Sequence, residues 1–179
     1  MNFYGAKDLA RQFRVVRANT IKIAEEIDEK NYGFQPTKET RTVAQLLAHI
    51  ATLSRFNMQL HGEKLKTLAG FDFGSVMGPL KAEEEKPRTK AELLALLKEE
   101  GDKFATFLEL LSDDFLAETV GMPPGGDAPK LRFEMLMAVK EQEMHHRGQL
   151  ILIMRLLGMV PPGTRAMQER MAAMAAQAK

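Results

Sequence analysis

Gln142–Gln149 reads QEMHHRGQ, a polar block inside an otherwise apolar helical segment. At about 100° per residue, Gln142 and His146 lie roughly 40° apart on one helical face, and Gln149 falls on the same face. Met135 and Val139 precede them on that face; Leu150, Ile153 and Leu157 follow. Polar groups therefore stand where the period demands apolar ones. Burying such a group unpaired costs about 2–7 kcal/mol. Hydrogen bonds, water or a metal must compensate, and the block reads as one side of a metal site in a helix bundle.

Outward from that block the chain divides into four long amphipathic segments. The first spans about Ala6 to Asp28, with Phe13, Val16, Ile21, Ala24 and Ile27 as its stripe and Arg14, Arg17 and Lys22 elsewhere. The second opens at Thr42, which has capping-box spacing to Gln45, and ends at Gly62. His49 lies between Leu46 and Leu53 on its wheel and so faces inward; His61, at the end, reads as a solvated cap. The third starts at the Thr89/Glu92 box, and Gly101 weakens it by about 1 kcal/mol. The fourth runs from about Lys130 to Leu157, stopped by Gly158, Pro161 and Pro162. Residues 63–88 form a long link in which Phe71, Phe73 and Val76 pin the chain down and AEEEKPRTK is a solvated charged run. Residues 1–162 make one bundle domain. Residues 163–179 make a tail, a short docking helix or a frayed end, with Met167, Met171 and Met174 at helical spacing.

Composition narrows the function classes. The 179 residues include no cysteine, which excludes disulfides, thiolate zinc sites and a cysteine nucleophile. Lys+Arg 25 against Asp+Glu 24 gives net charge +1, too little for a nucleic-acid field. The N-terminus lacks a signal-peptide core, and no apolar run reaches membrane-spanning length. A soluble, cytoplasmic, all-α protein is expected, with no membrane or nucleic-acid partner.

A height argument joins the two histidines. His49 stands about 20 Å from the end of the second helix, and Gln142 and His146 about 17 and 23 Å from the start of the fourth. They come level if the second and fourth helices are antiparallel with those termini at one end of the bundle. The order is then up-down-down-up, with residues 63–88 as the long crossover between helices two and three.

The stretches TRTVAQLLAHIA (residues 40–51) and EQEMHHRGQLILIMRLLGMVPP (residues 141–162) resemble the DinB-like (damage-inducible, YfiT-like) family of bacterial helical bundles. The resemblance covers nearly the whole chain. It implies a four-helix bundle of up-down-down-up order, often a homodimer. It also implies a divalent metal, nickel or zinc, on three histidines: one from the second long helix and two from the fourth at i and i+4. Characterised relatives include transferases that use a low-molecular-weight thiol cofactor. Carried over residue by residue, the ligand positions fall on His49, Gln142 and His146. Gln142 departs from the family's histidine, and a neutral amide oxygen is a weaker ligand for zinc or nickel. His145 lies about 60° round the helix from Gln142 and ranks below it.

Two functions compete. One is a metal-dependent enzyme, of the thiol-dependent transferase or hydrolase class, in which the ion is a Lewis acid and Arg147 pairs with a carboxylate such as Glu143. The alternative is a non-catalytic, metal-free, stress-related bundle whose site has decayed through Gln142, with His49, His146 and Gln142 in a hydrogen-bond network. A ferritin-like di-iron site lacks its second Glu-x-x-His, and no His-Glu-x-x-His exists for a zincin.

Overall fold

The computed structural model describes residues 4–177. Four long helices build the bundle: α1 (Ala6–Glu26), α2 (Val43–Gly62), α4 (Lys90–Glu109) and α6 (Arg132–Leu156), with α3 (Phe73–Glu85), the short α5 (Asp113–Leu116) and α7 (Pro162–Gln177) between and after them. Both capping boxes form. Thr42 Oγ1 accepts from the Gln45 amide at 3.2 Å while the Gln45 side chain accepts from the Thr42 amide; Thr89 and Glu92 repeat the pattern. Gly158, at φ 75°, supplies the left-handed residue that lets α6 stop.

Contacts along the helices give their directions. His49 meets His146 and His61 meets Arg132, so α2 and α6 are antiparallel. Phe13 packs on Phe104, and Lys90 reaches the Ile27 carbonyl, so α1 and α4 are antiparallel. Tyr4 touches Phe133 and Arg17 pairs with Glu143, so α1 and α6 are parallel. The order is up-down-down-up, as the height argument expects. α1 and α2 sit diagonally, each packed against both α4 and α6.

The core has two main apolar layers and a smaller cluster of Leu60, Leu68 and Val120. Ile23, Ile27, Leu47, Ile50, Leu97 and Leu150 centre one; Leu9, Phe13, Phe104, Leu108 and Leu136 centre the other. Between them lies a buried ionic layer. Arg17 Nε and Nη2 donate to Glu143 at 3.0–3.1 Å, Thr20 Oγ1 donates to Glu143 Oε1 at 2.8 Å, and Arg17 also donates to the Leu97 and Ile50 carbonyls. This corrects two expectations. Arg17 is not on the outer face of α1 but 4% exposed, and Glu143 pairs with Arg17, whereas Arg147 donates to the Val16 carbonyl. Gly101 is the residue that lets the Arg17 side chain pass: a Cβ there would stand 2.8 Å from Arg17 Cγ.

Three further departures concern the connections. Residues 63–88 are not an unstructured link, because α3 occupies half of them. Pro79 sits inside that helix, where it removes one backbone donor. A small antiparallel ribbon, β1 (Thr119–Val120) with β2 (Lys130–Leu131), introduces α6 in a chain with poor strand signals. His61 is not a solvated cap but 1% exposed, its Nδ1 accepting from Arg132 Nη1 at 3.1 Å. The tail from residue 163 is helical as far as Gln177, and its Met167, Met171 and Met174 face solvent. Among the described residues no helix is long and apolar enough to cross a membrane.

Candidate functional site

The capping box starts α2 at a fixed rotation, and two turns on His49 emerges half-buried toward α6. From α6, His146 points back, 8% exposed. The two rings meet edge to face at 89°, and their Nε2 atoms stand 3.1 Å apart. The histidines are level, as the heights require.

Each ring is held from behind by its other nitrogen. Glu84 Oε1 accepts from His49 Nδ1–H at 2.5 Å, and Glu84 Oε2 accepts from Arg41 Nε at 2.8 Å. On the other side, Gln149 turns Oε1 to His146 Nδ1 at 3.3 Å and Nε2 to His145 Nε2 at 3.3 Å. With both Nδ1 atoms protonated, a neutral imidazole has only a lone pair at Nε2. In that tautomer the pair sets two acceptors face to face; with the Gln149 amide reversed, one ring donates to the other. A proton could bridge them, but burial above all holds the His146 pKa below its usual 6.5, with His49, His145 and Arg41 adding to the effect against a smaller upward pull from Gln149. Two nitrogens sharing one zinc-like ion at about 2.0–2.1 Å stand roughly 3 Å apart. The donor set thus fits a divalent cation on this pair.

The remaining candidates are placed as follows. Gln142 lines the same cavity from one turn earlier on α6, exposed, its amide without a hydrogen bond among the described residues. His145 is exposed and reaches only Gln149 and the edge of His146. Arg147 is tied to α1 and does not enter the cavity lining. Among the described residues no three His, Asp or Glu side chains converge as a ligand set, so a third protein ligand would have to be an amide.

Glu84 and Arg41 escaped the sequence reading. AEEEKPRTK was expected to be solvated, yet the Glu84 side chain is only 12% exposed. Glycines at 74 and 78 and Pro79 disguised α3 as loop. Its signal is the i, i+4 pair Leu80 and Glu84 with Met77 one turn earlier, a face that only a helical reading of 73–85 brings together.

The cavity in front of His49 has a volume of about 990 Å³ and is walled by α2, α3 and α6. That is the scale of a small-molecule site. Arg41 and Gln45 stand at one end; Phe56 and Met77 stand toward the other.

Several known proteins share this architecture. YjoA of Bacillus subtilis (strain 168), an uncharacterised protein, is 23% identical over 153 residues, which is 86% of this chain and 91% of YjoA. The crystal structure of YjoA, a DinB-like protein, matches with TM-score 0.61 at 21% identity over 84% of this chain and 91% of that one. YfiT from B. subtilis, described as a probable metal-dependent hydrolase with an unusual four-helix bundle topology, matches with TM-score 0.65 at 16% identity over 86% and 88%. The colibactin self-resistance protein ClbS, solved in complex with double-stranded DNA, matches with TM-score 0.61 at 16% identity over 84% and 95%. At these identities the structural likeness speaks to fold alone. The DinB superfamily model matches residues 12–150, most of the chain, and the chain belongs to that superfamily.

Proposed function

We propose that the protein is a divalent-metal-dependent enzyme of the hydrolase class, with His49 and His146 as metal ligands through Nε2 and Gln142 as a weaker third. One observation carries this reading: the two Nε2 atoms face each other at 3.1 Å while both Nδ1 atoms are turned to acceptors. A zinc or nickel ion held there would supply Lewis acidity. The chain's own residues do the rest. Glu84 keeps the His49 proton on Nδ1 and leaves the Nε2 lone pair for the ion, the usual service of a carboxylate behind a metal-binding imidazole. Arg41 fixes Glu84, and Gln149 orients His146. The description of YfiT supports the reaction class. Transfer to a low-molecular-weight thiol would use the same open face, and adding a thiol to the hydrolysis assay separates the two reactions.

Gln142 favours a second reading, a metal-free bundle. Reversing the Gln149 amide would let it donate to His146 Nδ1, and His146 Nε2–H could then donate to His49 Nε2 at the same distances, satisfying every atom. Calorimetric titration of zinc or nickel into untagged protein separates the readings. The metal-dependent reading expects one ion per chain, a raised melting temperature, loss of both in His49→Ala and tighter binding in Gln142→His. Uptake by Gln142→His alone supports the metal-free bundle.

The homodimer that the resemblance implies would cover the exposed Met167, Met171 and Met174 of α7. DNA contact is said of ClbS and is not carried over, since a net charge of +1 offers a polyanion little long-range attraction.

A further inference from the structure

Beyond His49 the cavity continues as a largely apolar limb built by three helices, with Thr52, Asn57 and Lys81 also on its lining. On α2, Leu53 and Phe56 follow His49 by four and seven residues; on α3, Leu80 and Met77 precede Glu84 by four and seven; on α6, Val139 precedes His146 by seven. Phe56 lies against Phe73 while His49 lies against Glu84, so α3, like α6, runs antiparallel to α2. All three sets therefore lie on the same side of the histidines, at one and two turns' distance on α2 and α3 and at two turns on α6, where Gln142 holds the nearer position. The far wall, at Ala138, is about 12 Å from the level of His146. On the opposite side the lining is mixed, with Arg41 and Gln45 beside Leu46, Leu152 and Ile153. Met77 is 47% exposed, so about half of its apolar surface is open to solvent at the cavity.

We propose that this limb binds the aliphatic chain of a medium-length amphipathic small molecule, an alkyl or acyl compound of roughly eight carbons by length, with its polar head at His49 and His146. This deepens the metal-dependent reading and rests on it only for what grips the head. The mixed end beyond the pair leaves room for a head larger than a carboxamide, and the limb sets the preferred chain.

The test uses two series of straight-chain probes, from acetyl to decanoyl: hydroxamates on zinc-loaded protein and primary amides on metal-free protein. In both series affinity is expected to rise roughly three- to four-fold per methylene and to level off near octanoyl. Met77→Glu, a change at an exposed position, removes that increment, and Met174→Glu on α7 keeps it. Affinity independent of chain length in both series overturns the proposal, as does an increment that survives Met77→Glu. If the amides show the increment but zinc does not bind, the limb stands and the metal-dependent reading falls. If zinc and the hydroxamates bind without regard to chain length, the metal reading stands and the limb falls.

Discussion

Glu143 and His146 stand one helical turn apart on α6, yet their polar atoms meet opposite ends. Both Glu143 oxygens are taken up by Arg17 and Thr20, and Arg17's other donors reach backbone carbonyls. The ionic layer is closed. His146 has its Nδ1 beside the Gln149 amide and its Nε2 3.1 Å from His49 Nε2, and the tautomer decides whether the two rings bond each other or oppose lone pairs. The pair is joined across the two Nε2 atoms, and its His49 side lines a cavity. Equal polarity in one apolar face thus serves two purposes. A satisfied buried network fixes how α1, α2, α4 and α6 register. A histidine pair beside a cavity, joined to the protein through one nitrogen of each ring, is where the proposed ion would bind.

The sharpest way to break that contrast is Glu143→Ala. It leaves Arg17 buried without its carboxylate and should cost about 3–5 kcal/mol in chemical denaturation, whereas His49→Ala should change stability little and abolish metal uptake. Equal effects of the two on stability would erase the distinction between the ionic layer and the histidine pair.

His61 extends the comparison to a third buried polar group. Its Nε2 has no partner among the described residues, and burial, with the Arg132 charge behind it, pushes its pKa down to about 4. The folded state therefore refuses a proton that the unfolded chain accepts near pH 6.5. Stability is full above that pH and falls as pH drops toward 4, by on the order of 3 kcal/mol. Unfolding measured from pH 7 to 4 in the wild type and in His61→Gln should show a steeper loss in the wild type.

Smaller effects refine the histidine site and the closed layer in turn. Glu84→Gln should weaken zinc or nickel binding about 10- to 100-fold with little change in melting of the metal-free protein, because the side chain lies at the cavity and not in the core. Gly101→Ala should destabilise by about 1–2 kcal/mol although alanine is the better helix former, since the added methyl meets Arg17. A stabilised Gly101→Ala would mean that the ionic layer has slack.

The same contrast explains what could be read from the chain alone. Helix periods, capping boxes at Thr42 and Thr89, and the residue heights of His49 and His146 are local quantities, and they sufficed for the bundle, its order and the meeting of the two rings. The charge of Arg17 reads as outward, although 13, 17, 20, 24 and 27 share one spacing and place it with Thr20 between Phe13 and Ala24. Its partner Glu143 is 126 residues away, and no local pattern joins them. His61 looked like a helix end, and only Arg132, Leu65 and Phe115 folding over it make it interior. Glu84 was hidden because α3 owes little to propensity. All its side chains stay at least partly exposed, and the ties to Arg41 and His49 and the rings of Phe56, Phe71 and Phe73 hold it to the bundle.

Metal content of untagged protein, purified without chelator and compared with His49→Ala, bears most directly on the histidine site. About one zinc or nickel per chain in the wild type and none in the variant is the expected result. Wild type without metal, and with unchanged melting in the presence of added zinc and nickel, would contradict it.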